Sequence, residues 1–231
     1  MYNMNITSYQ SQILEKKYLN KDTVCLKLQK PENYSFLPGQ FLQIFFIDIK
    51  RSYSIFSKPS DETIDLCIKC LEGGKASEII KNITVEEKIT ISDPMGHFII
   101  NEDDIERTYV ATGSGIAPIV SMLRTSLEDY RHKSKIYLLF GIRYEEDIFY
   151  IKELEKLSNT YKNFSFDFTL SRPSENWKGN SGRVSAHLPS KITDKKNNQF
   201  YLCGSPDMVK DIRKLLIDSD IDMKNIKFEI F

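Results

Sequence analysis

Short apolar runs closed by turn residues fill the first hundred positions of the chain. Thr23–Leu28, Gln40–Ile47, Arg51–Ile55, Thr63–Leu71 and Lys88–Ile91 alternate or stay apolar over a strand's length, and Pro31, Pro38-Gly39, Lys58-Pro59 and Asp93-Pro94 separate them. Many short strands at this spacing predict a barrel or a sandwich. One helical interlude is predicted over Ala76–Ile83, with Ile79, Ile80 and Ile83 on one face.

From about Glu106 the period changes. Strands are predicted at Tyr109–Ala111, Lys135–Phe140, Phe164–Leu170 and Phe200–Cys203, and helices at Ile116–Tyr130, Asp147–Ser158 and Pro206–Asp218. Alternating strands and helices predict a parallel α/β sheet. The last helix carries Met208, Val209, Ile212, Leu215 and Leu216 on one stripe, with Ser205 as N-cap and Pro206 at the first position. Both are favoured there, because a serine oxygen accepts an orphan amide proton and proline has no amide proton to satisfy. The change of pattern divides the chain into residues 6–102 and 106–231, with the charged stretch Asn101–Glu106 between them.

The densest signal runs from Thr108 to Leu123. Tyr109-Val110-Ala111 reads as a buried strand, Gly113 and Gly115 make a turn, and Ile116, Ile119, Val120 and Leu123 then repeat at helical spacing. Strand, glycine turn and helix together aim backbone N–H groups and the positive helix end at a phosphate. The third glycine of the usual dinucleotide fingerprint is replaced by Pro118, which suits a first helical turn. No acidic residue clearly ends a second strand to take a ribose hydroxyl. The turn alone fits a tight strand–helix corner as well as a ligand site.

Composition narrows the field. Lys plus Arg equals Asp plus Glu at 32 each in 231 residues. Balanced charge without long like-charged blocks argues against nucleic acid or an anionic membrane as the main partner. No apolar run reaches membrane-spanning length and the N-terminus lacks signal-peptide features, so a cytoplasmic protein is expected. Cys67 and Cys70 form a C-x-x-C, but on a strand residues three apart face opposite ways. Cys70 joins Ile64, Leu66 and Ile68 on the apolar side and Cys67 faces away, so neither a redox pair nor a metal site is expected there. The four cysteines lack the clustered spacing of an iron–sulfur loop, and His97, His132 and His187 are scattered. No metal site is expected. Nothing such as a heptad repeat suggests an oligomer, so a monomer is expected.

Further places in the first half suit an anionic, aromatic ligand. On the strand Arg51-Ser52-Tyr53-Ser54, Arg51 and Tyr53 share one face and Ser52 and Ser54 the other. An arginine fork fixes a phosphate and a phenol covers a planar ring. Gly73-Gly74-Lys75-Ala76-Ser77 opens the short helix, a second phosphate-receptive end. Pro38-Gly39-Gln40-Phe41 and Asp93-Pro94-Met95-Gly96-His97-Phe98 are tight turns. Taken singly, each of these also reads as ordinary punctuation or a solvated face.

Their order is more informative. Pro-Gly-Gln-Phe, Arg-x-Tyr-Ser, Gly-Gly-x-x-Ser, Pro-x-Gly-x-Phe, Gly-x-Gly-x-Ala-Pro, Phe-Gly-x-Arg, Cys-Gly-x-Pro-x-Met and a terminal Glu-x-Phe follow one another in the chain. This series resembles the ferredoxin–NADP reductase superfamily over residues 6–231. It is most similar to bacterial NAD(P)H-dependent modules that serve flavins, ferredoxins or oxygenases. The resemblance implies an N-terminal antiparallel β-barrel that binds FAD over residues 6–102 and a parallel α/β domain that binds NAD(P) over residues 106–231.

The resemblance also implies residue roles. Arg51 binds flavin phosphate, Tyr53 packs on the isoalloxazine and Ser54 lies near its N5. Gly74, Lys75, Ala76 and Ser77 line the flavin pyrophosphate. Thr112, Gly113, Gly115 and Pro118 bind the pyridine nucleotide, with Arg143 as a nucleotide contact. Cys203 and Gly204 lie near the nicotinamide. Phe231 covers the flavin where nicotinamide must enter, and Glu229 interacts with Ser54. Ser54, Cys203, Glu229 and Phe231 therefore form the expected catalytic set. Cys203 acts by packing and polarity, because no histidine base sits nearby in sequence.

The implied activity is hydride transfer from NADH or NADPH to bound FAD, with electrons leaving for a ferredoxin, an oxygenase component or free flavin. FAD is favoured over FMN. Ser171 and Arg172, with Arg183, suit the extra phosphate of NADPH, yet NADH-using relatives share the Trp177-x-Gly179-x-x-Gly182-x-Val184 pattern, and NADH is slightly favoured. The rival reading is a non-catalytic flavin- or nucleotide-binding regulatory or electron-transfer module.

Overall fold

The computed structural model describes residues 7–192 and 194–230. It divides into two compact units, one containing the chain up to Ile100 with Val120–Thr125, the other Asn101–Ile119 with the chain from Ser126 onward.

The first unit is an antiparallel barrel. Its strands are β1 (Ser8–Tyr18), β2 (Thr23–Gln29), β3 (Phe41–Phe45), β4 (Lys50–Ser54), β5 (Thr63–Lys69) and β6 (Lys88–Ser92), with helix α1 (Lys75–Asn82) between β5 and β6. Among the described residues they lie in the order β4-β3-β6-β1-β2-β5. A bridge between Ile55 and Leu66 closes the ring, and Phe56 N–H donates to the Asp65 carbonyl at 2.7 Å. Alternation explains the core: Val24, Leu26 and Leu28 of β2 point inward with Leu42 and Ile44 of β3, Ile64, Leu66 and Ile68 of β5, and Ile91 of β6.

Helix α1 differs from the sequence expectation in its buried face. Ala76, Ile80 and Ile83 are buried, whereas Ile79 is exposed. The reason is the 3.6-residue turn: Ala76, Ile80 and Ile83 fall within about 60° of one another around the axis, and Ile79 sits at the edge of that stripe, about 100° from Ile80.

Two of the predicted turns are joined. Phe41 and Met95 exchange backbone hydrogen bonds at 3.0 and 2.8 Å, and the Gln40 side-chain amide donates to the Gly96 carbonyl at 3.3 Å. Gly39 has φ +101° and no room for a side chain, since a Cβ would stand 2.1 Å from the Phe98 carbonyl oxygen. These turn motifs therefore have a structural role in the barrel.

The second unit is a parallel sheet. In chain order it holds β7 (Glu106–Thr112), a 3₁₀ turn at Gly113–Gly115, the start of α2 (Ile116–Arg124), a π turn at Thr125–Asp129, β8 (Ile136–Ile142) and α3 (Ile151–Thr160). Then come β9 (Phe164–Leu170), the short β10 (Asn180–Ser181), α4 (Val184–His187), β11 (Asn198–Gly204), α5 (Pro206–Asp218) and β12 (Ile226–Ile230). The order is β10-β9-β8-β7-β11-β12. The strand sequence therefore reverses direction between β7 and β11. Val110, Leu139, Phe200 and Leu202 of the sheet pack with Val209, Ile212 and Leu216 of α5. Ser205 caps α5 by accepting from Met208 N–H at 3.4 Å, and Pro206 takes the first position, as expected. Among the described residues no helix is long and apolar enough to cross a membrane.

At the N-terminal edge of this sheet lies a feature the sequence did not announce. Arg107 is wholly buried. Its guanidinium donates to Ser126 Oγ at 2.6 Å, to the Asn101 carbonyl at 2.7 Å and to Asp103 Oδ1 at 2.8 Å. His132 Nδ1 lies 2.9 Å from the Asp103 carbonyl. The charged stretch 101–105 is thereby strapped to β7.

Candidate functional site

In the first unit the proposed ligand residues fall on β4 and on the start of α1. Register sets their faces: Tyr53 stands opposite Leu42 and Arg51 opposite Ile44, while Ser54 and Ser52 stand opposite Phe41 and Gln43. Tyr53 is half-buried against the barrel core and Arg51 is exposed next to the turn that joins β3 to β4. Burial pushes the Tyr53 phenol up to about 12, with Cys70 raising it further and Arg51 lowering it. The phenol is therefore neutral over the physiological range, as suits a group that covers a ring. Ser54 is buried.

The turn before α1 is built for close approach. Gly73 has φ +69° with open space around it, and a Cβ on Gly74 would come within 2.9 Å of Ser77 Oγ. Gly74 is the N-cap and offers no side-chain acceptor. The first amides of a helix have no partner within it, so those of Lys75, Ala76 and Ser77 are directed outward from the helix start. Lys75 is exposed, whereas Ala76 and Ser77 are buried. The Ser77 hydroxyl accepts from Leu71 N–H at 2.8 Å, which ties the turn to its helix.

In the second unit the predicted residues gather at the C-terminal ends of β7, β8, β9 and β11. The central pair, β7 and β11, flanks the reversal of strand order, where open α/β sheets leave a crevice for ligands. A Cβ on Gly115 would lie 2.3 Å from the Cys203 carbonyl oxygen, and one on Gly204 would lie 2.1 Å from Thr112 Oγ1. The Thr112 hydroxyl caps no turn; it accepts from Ser205 N–H at 3.3 Å and holds the two strand ends together. Gly113 has φ +55° and faces open space. Pro118 is buried in the first turn of α2. Cys203 is fully buried, and burial, then the charge of Glu229, holds its thiol well above the ordinary range. It is a protonated packing group at neutral pH.

The strand ends of β8 and β9 bring the arginines together. Arg172 N–H donates to the Arg143 carbonyl at 2.9 Å, and the Arg172 guanidinium reaches Tyr144 Oη at 3.2 Å. Arg143, Ser171 and Arg172 are exposed. Arg183 instead lies 3.6 Å from Asp211. The glycines of the tryptophan pattern have structural work. Gly179 lies under the Trp177 ring, where a Cβ would approach to 2.5 Å, and Gly182 takes φ +105°. Gly141, unremarked within Phe-Gly-x-Arg, seats β8 against its neighbours: a Cβ there would meet Val184 at 2.8 Å and Thr112 at 2.9 Å. Glu229 stands beside Cys203 in the β11–β12 register, whereas Ser54 belongs to the other unit. Phe231 lies outside the described residues.

Both halves of the chain match known families. Residues 10–100 match the oxidoreductase FAD-binding domain family and residues 109–214 the oxidoreductase NAD-binding domain family. Ferredoxin–NADP reductase B of Sorangium cellulosum is 34% identical over 176 residues, covering 73% of this chain and 72% of that protein. The chain belongs to the ferredoxin–NADP reductase superfamily. Its halves are an FAD-binding and an NAD-binding oxidoreductase domain. The anthranilate 1,2-dioxygenase electron transfer component of Acinetobacter baylyi is 28% identical over 207 residues, 88% of this chain and 60% of that protein. This superfamily member thus spans less than two thirds of that relative's length. Its fold is that of the Amycolatopsis cytochrome P450 reductase GcoB, at a TM-score of 0.89 and 21% identity over 98% of this chain and 71% of the other. It is equally that of a ferredoxin NADP+ reductase from Neisseria gonorrhoeae, at a TM-score of 0.85 and 24% identity over 96% and 98%.

Proposed function

We propose that this chain is a flavin-dependent NAD(P)H oxidoreductase, in which FAD held by residues 6–102 accepts hydride from a nicotinamide bound by residues 106–231 and electrons leave for a separate acceptor. One observation carries the reading. A single chain holds an uncapped, glycine-opened helix start with the Arg51–Tyr53 strand, and a glycine cradle at the strand-order reversal of a parallel sheet.

The residues present fit both cofactors. Arg51 and the amides of Lys75, Ala76 and Ser77 hold flavin phosphates, and Gly74 lets the turn close onto Ser77. The neutral Tyr53 phenol covers the ring. Ser54 supplies a polar group for the flavin edge, and Cys203, with Glu229 beside it in the β11–β12 register, packs beside the nicotinamide. Thr112, Gly113, Gly115, Pro118 and Gly204 seat the dinucleotide, and Arg143, Ser171 and Arg172 its adenosine end. Orientation of two rings against each other is the protein's share of such chemistry. NADH is the proposed donor. The Trp177-x-Gly179-x-x-Gly182-x-Val184 pattern, which NADH-using relatives share, supports it.

The Acinetobacter relative's name, an electron transfer component of a dioxygenase, supports an oxygenase component or a ferredoxin as acceptor. A monomer in the cytoplasm completes the proposal. The test is FAD affinity by fluorescence quenching, with NADH-dependent ferricyanide reduction alongside. Arg51→Ala is expected to weaken FAD about 10- to 100-fold, the loss of a charge-assisted hydrogen bond of about 1.5–3 kcal/mol. Unchanged FAD affinity in Arg51→Ala would remove Arg51 from the site.

A further inference from the structure

Cys25 of β2 and Cys67 of β5 stand directly opposite each other in antiparallel register. Opposed residues put their side chains on the same face of a sheet. Antiparallel pairs alternate between hydrogen-bonded and non-hydrogen-bonded kinds, and side chains are closest in the second.

Three hydrogen bonds assign the kind. Cys70 N–H donates to the Asp22 carbonyl at 2.6 Å, which makes Asp22 and Cys70 a hydrogen-bonded pair. Three steps along the ladder, Cys25 and Cys67 are then a non-hydrogen-bonded pair. Leu19 N–H donates to the Thr23 carbonyl at 2.8 Å on the other side of β2. Two steps on, the backbone groups of Cys25 point at Lys17 of β1, away from β5. Phe56 N–H takes the Asp65 carbonyl, so the backbone groups of Cys67, two residues later, also point away from β2. All three agree. Such a pair brings its Cα atoms to about 4.5 Å. Disulfides form across about 4.4–6.8 Å.

The other cysteines are not so placed. Cys70 belongs to the barrel core with Ile64, Leu66 and Ile68, on the opposite face of β5 from Cys67. Cys203 lies in the second unit. All four are free thiols in the structure.

We propose that Cys25 and Cys67 are an oxidisable pair that closes into a cross-strand disulfide with a low-molecular-weight disulfide as oxidant. The half-buried Cys25 is the point of attack. Its thiolate displaces one thiol from glutathione disulfide and leaves glutathione bound at Cys25. Cys67 then displaces the second glutathione. One S–S bond breaks and one forms, two electrons pass to the oxidant, and the two protein thiol protons end on two glutathione molecules. The product staples β5, the end strand of the ladder, to β2. The assignment is independent of the cofactor reading.

Burial, with charged neighbours after it, sets the pace. Around Cys25 stand Asp65 of β5, Lys27 of β2, and Glu15 and Lys17 of β1. Burial, then Asp65, pushes the Cys25 thiol up to about 12, and burial pushes Cys67 in the same direction. Thiolate is the attacking species, so closure is slow at neutral pH and quickens about tenfold per pH unit below that value.

The test uses the full chain, folded, with excess glutathione disulfide at about pH 9. Samples are then denatured, alkylated and weighed, and the peptides are mapped. The expected product is lighter than the reduced protein by two hydrogens before alkylation. It takes up two alkyl groups where the reduced protein takes four, and carries a Cys25–Cys67 cross-linked peptide that dithiothreitol releases. Cys70→Ser should leave the bridge intact, and Cys25→Ser or Cys67→Ser should abolish it. Four alkylated cysteines, a stable glutathione adduct at Cys25, or a bridge to Cys70 or Cys203 would each overturn the proposal. Mapping of the wild-type protein decides even where a variant folds poorly.

Discussion

Gly115→Ala is expected to destabilise the nucleotide-binding half by about 3 kcal/mol, at the upper end for overpacking a filled site. The added Cβ would stand 2.3 Å from the Cys203 carbonyl oxygen, 2.6 Å from its carbon and 2.8 Å from Gly204 N. All three are backbone atoms at the end of β11, so no side chain can swing aside. The strand end or the turn must move, and with it the amides proposed to face the dinucleotide. The thermal midpoint should fall on the order of 10 °C, and NADH affinity should drop with it. Gly113→Ala is the control. Gly113 has φ +55° but nothing within 4 Å. It should cost only about 1 kcal/mol, the conformational penalty alone. If the two substitutions cost the same, the close approach of the 3₁₀ turn to the end of β11 is not what requires Gly115.

Arg107→Met is expected to cost about 3 kcal/mol, the lower end for removing one partner of a buried ion pair, because the Asp103 side chain keeps 25% of its exposure. Methionine keeps much of the volume and none of the hydrogen bonds. The Asn101 carbonyl, Asp103 carboxylate and Ser126 hydroxyl each lose the Arg107 donor. Urea denaturation measures the loss, and Asp103→Asn in the same chain should recover part of it. A pH signature accompanies the change. Burial, then the Arg107 charge, holds His132 below its ordinary range, against the opposing pull of Asp103 and Asp104. A histidine depressed in the folded state binds protons more readily when unfolded. Stability in the wild type is therefore whole above the ordinary histidine pKa and declines as pH falls through it. Arg107→Met should shrink that decline. An unchanged acid limb would mean that Arg107 does not govern His132.

The alternation of β2, β3 and β5 and the switch to strand–helix repeats were legible because burial there is one-sided and periodic. The strand β1 was not. Over Ser8–Tyr18 it buries only Ser11 and Ile13, so no apolar rhythm marks it. The strand β12 escaped for the same reason, burying only Ile226. The helix expected over Asp147–Ser158 begins later, at Ile151, because Tyr150 takes φ +62°. No glycine advertised that break. The helix expected to reach Tyr130 gives way after Arg124 to a π turn.

The site shows the same division. Its glycines stood out as motif letters, but the reason for Gly115 and Gly204 is contact of β7 and the turn after it with the end of β11, far apart in sequence. Arg107 read as one charge among 32 cations. Only the fold puts it under the 101–105 stretch. Cys25 and Cys67 likewise become a pair only once the β2–β5 register is known.

The most direct test of the central claim is an anaerobic absorbance spectrum of the protein reconstituted with FAD, recorded before and after NADH and, separately, NADPH. Flavin bands that appear on binding and bleach within seconds of NADH addition, more slowly with NADPH, are the expected result. A protein that fails to hold added FAD, or holds it without bleaching under either nucleotide, would contradict the account.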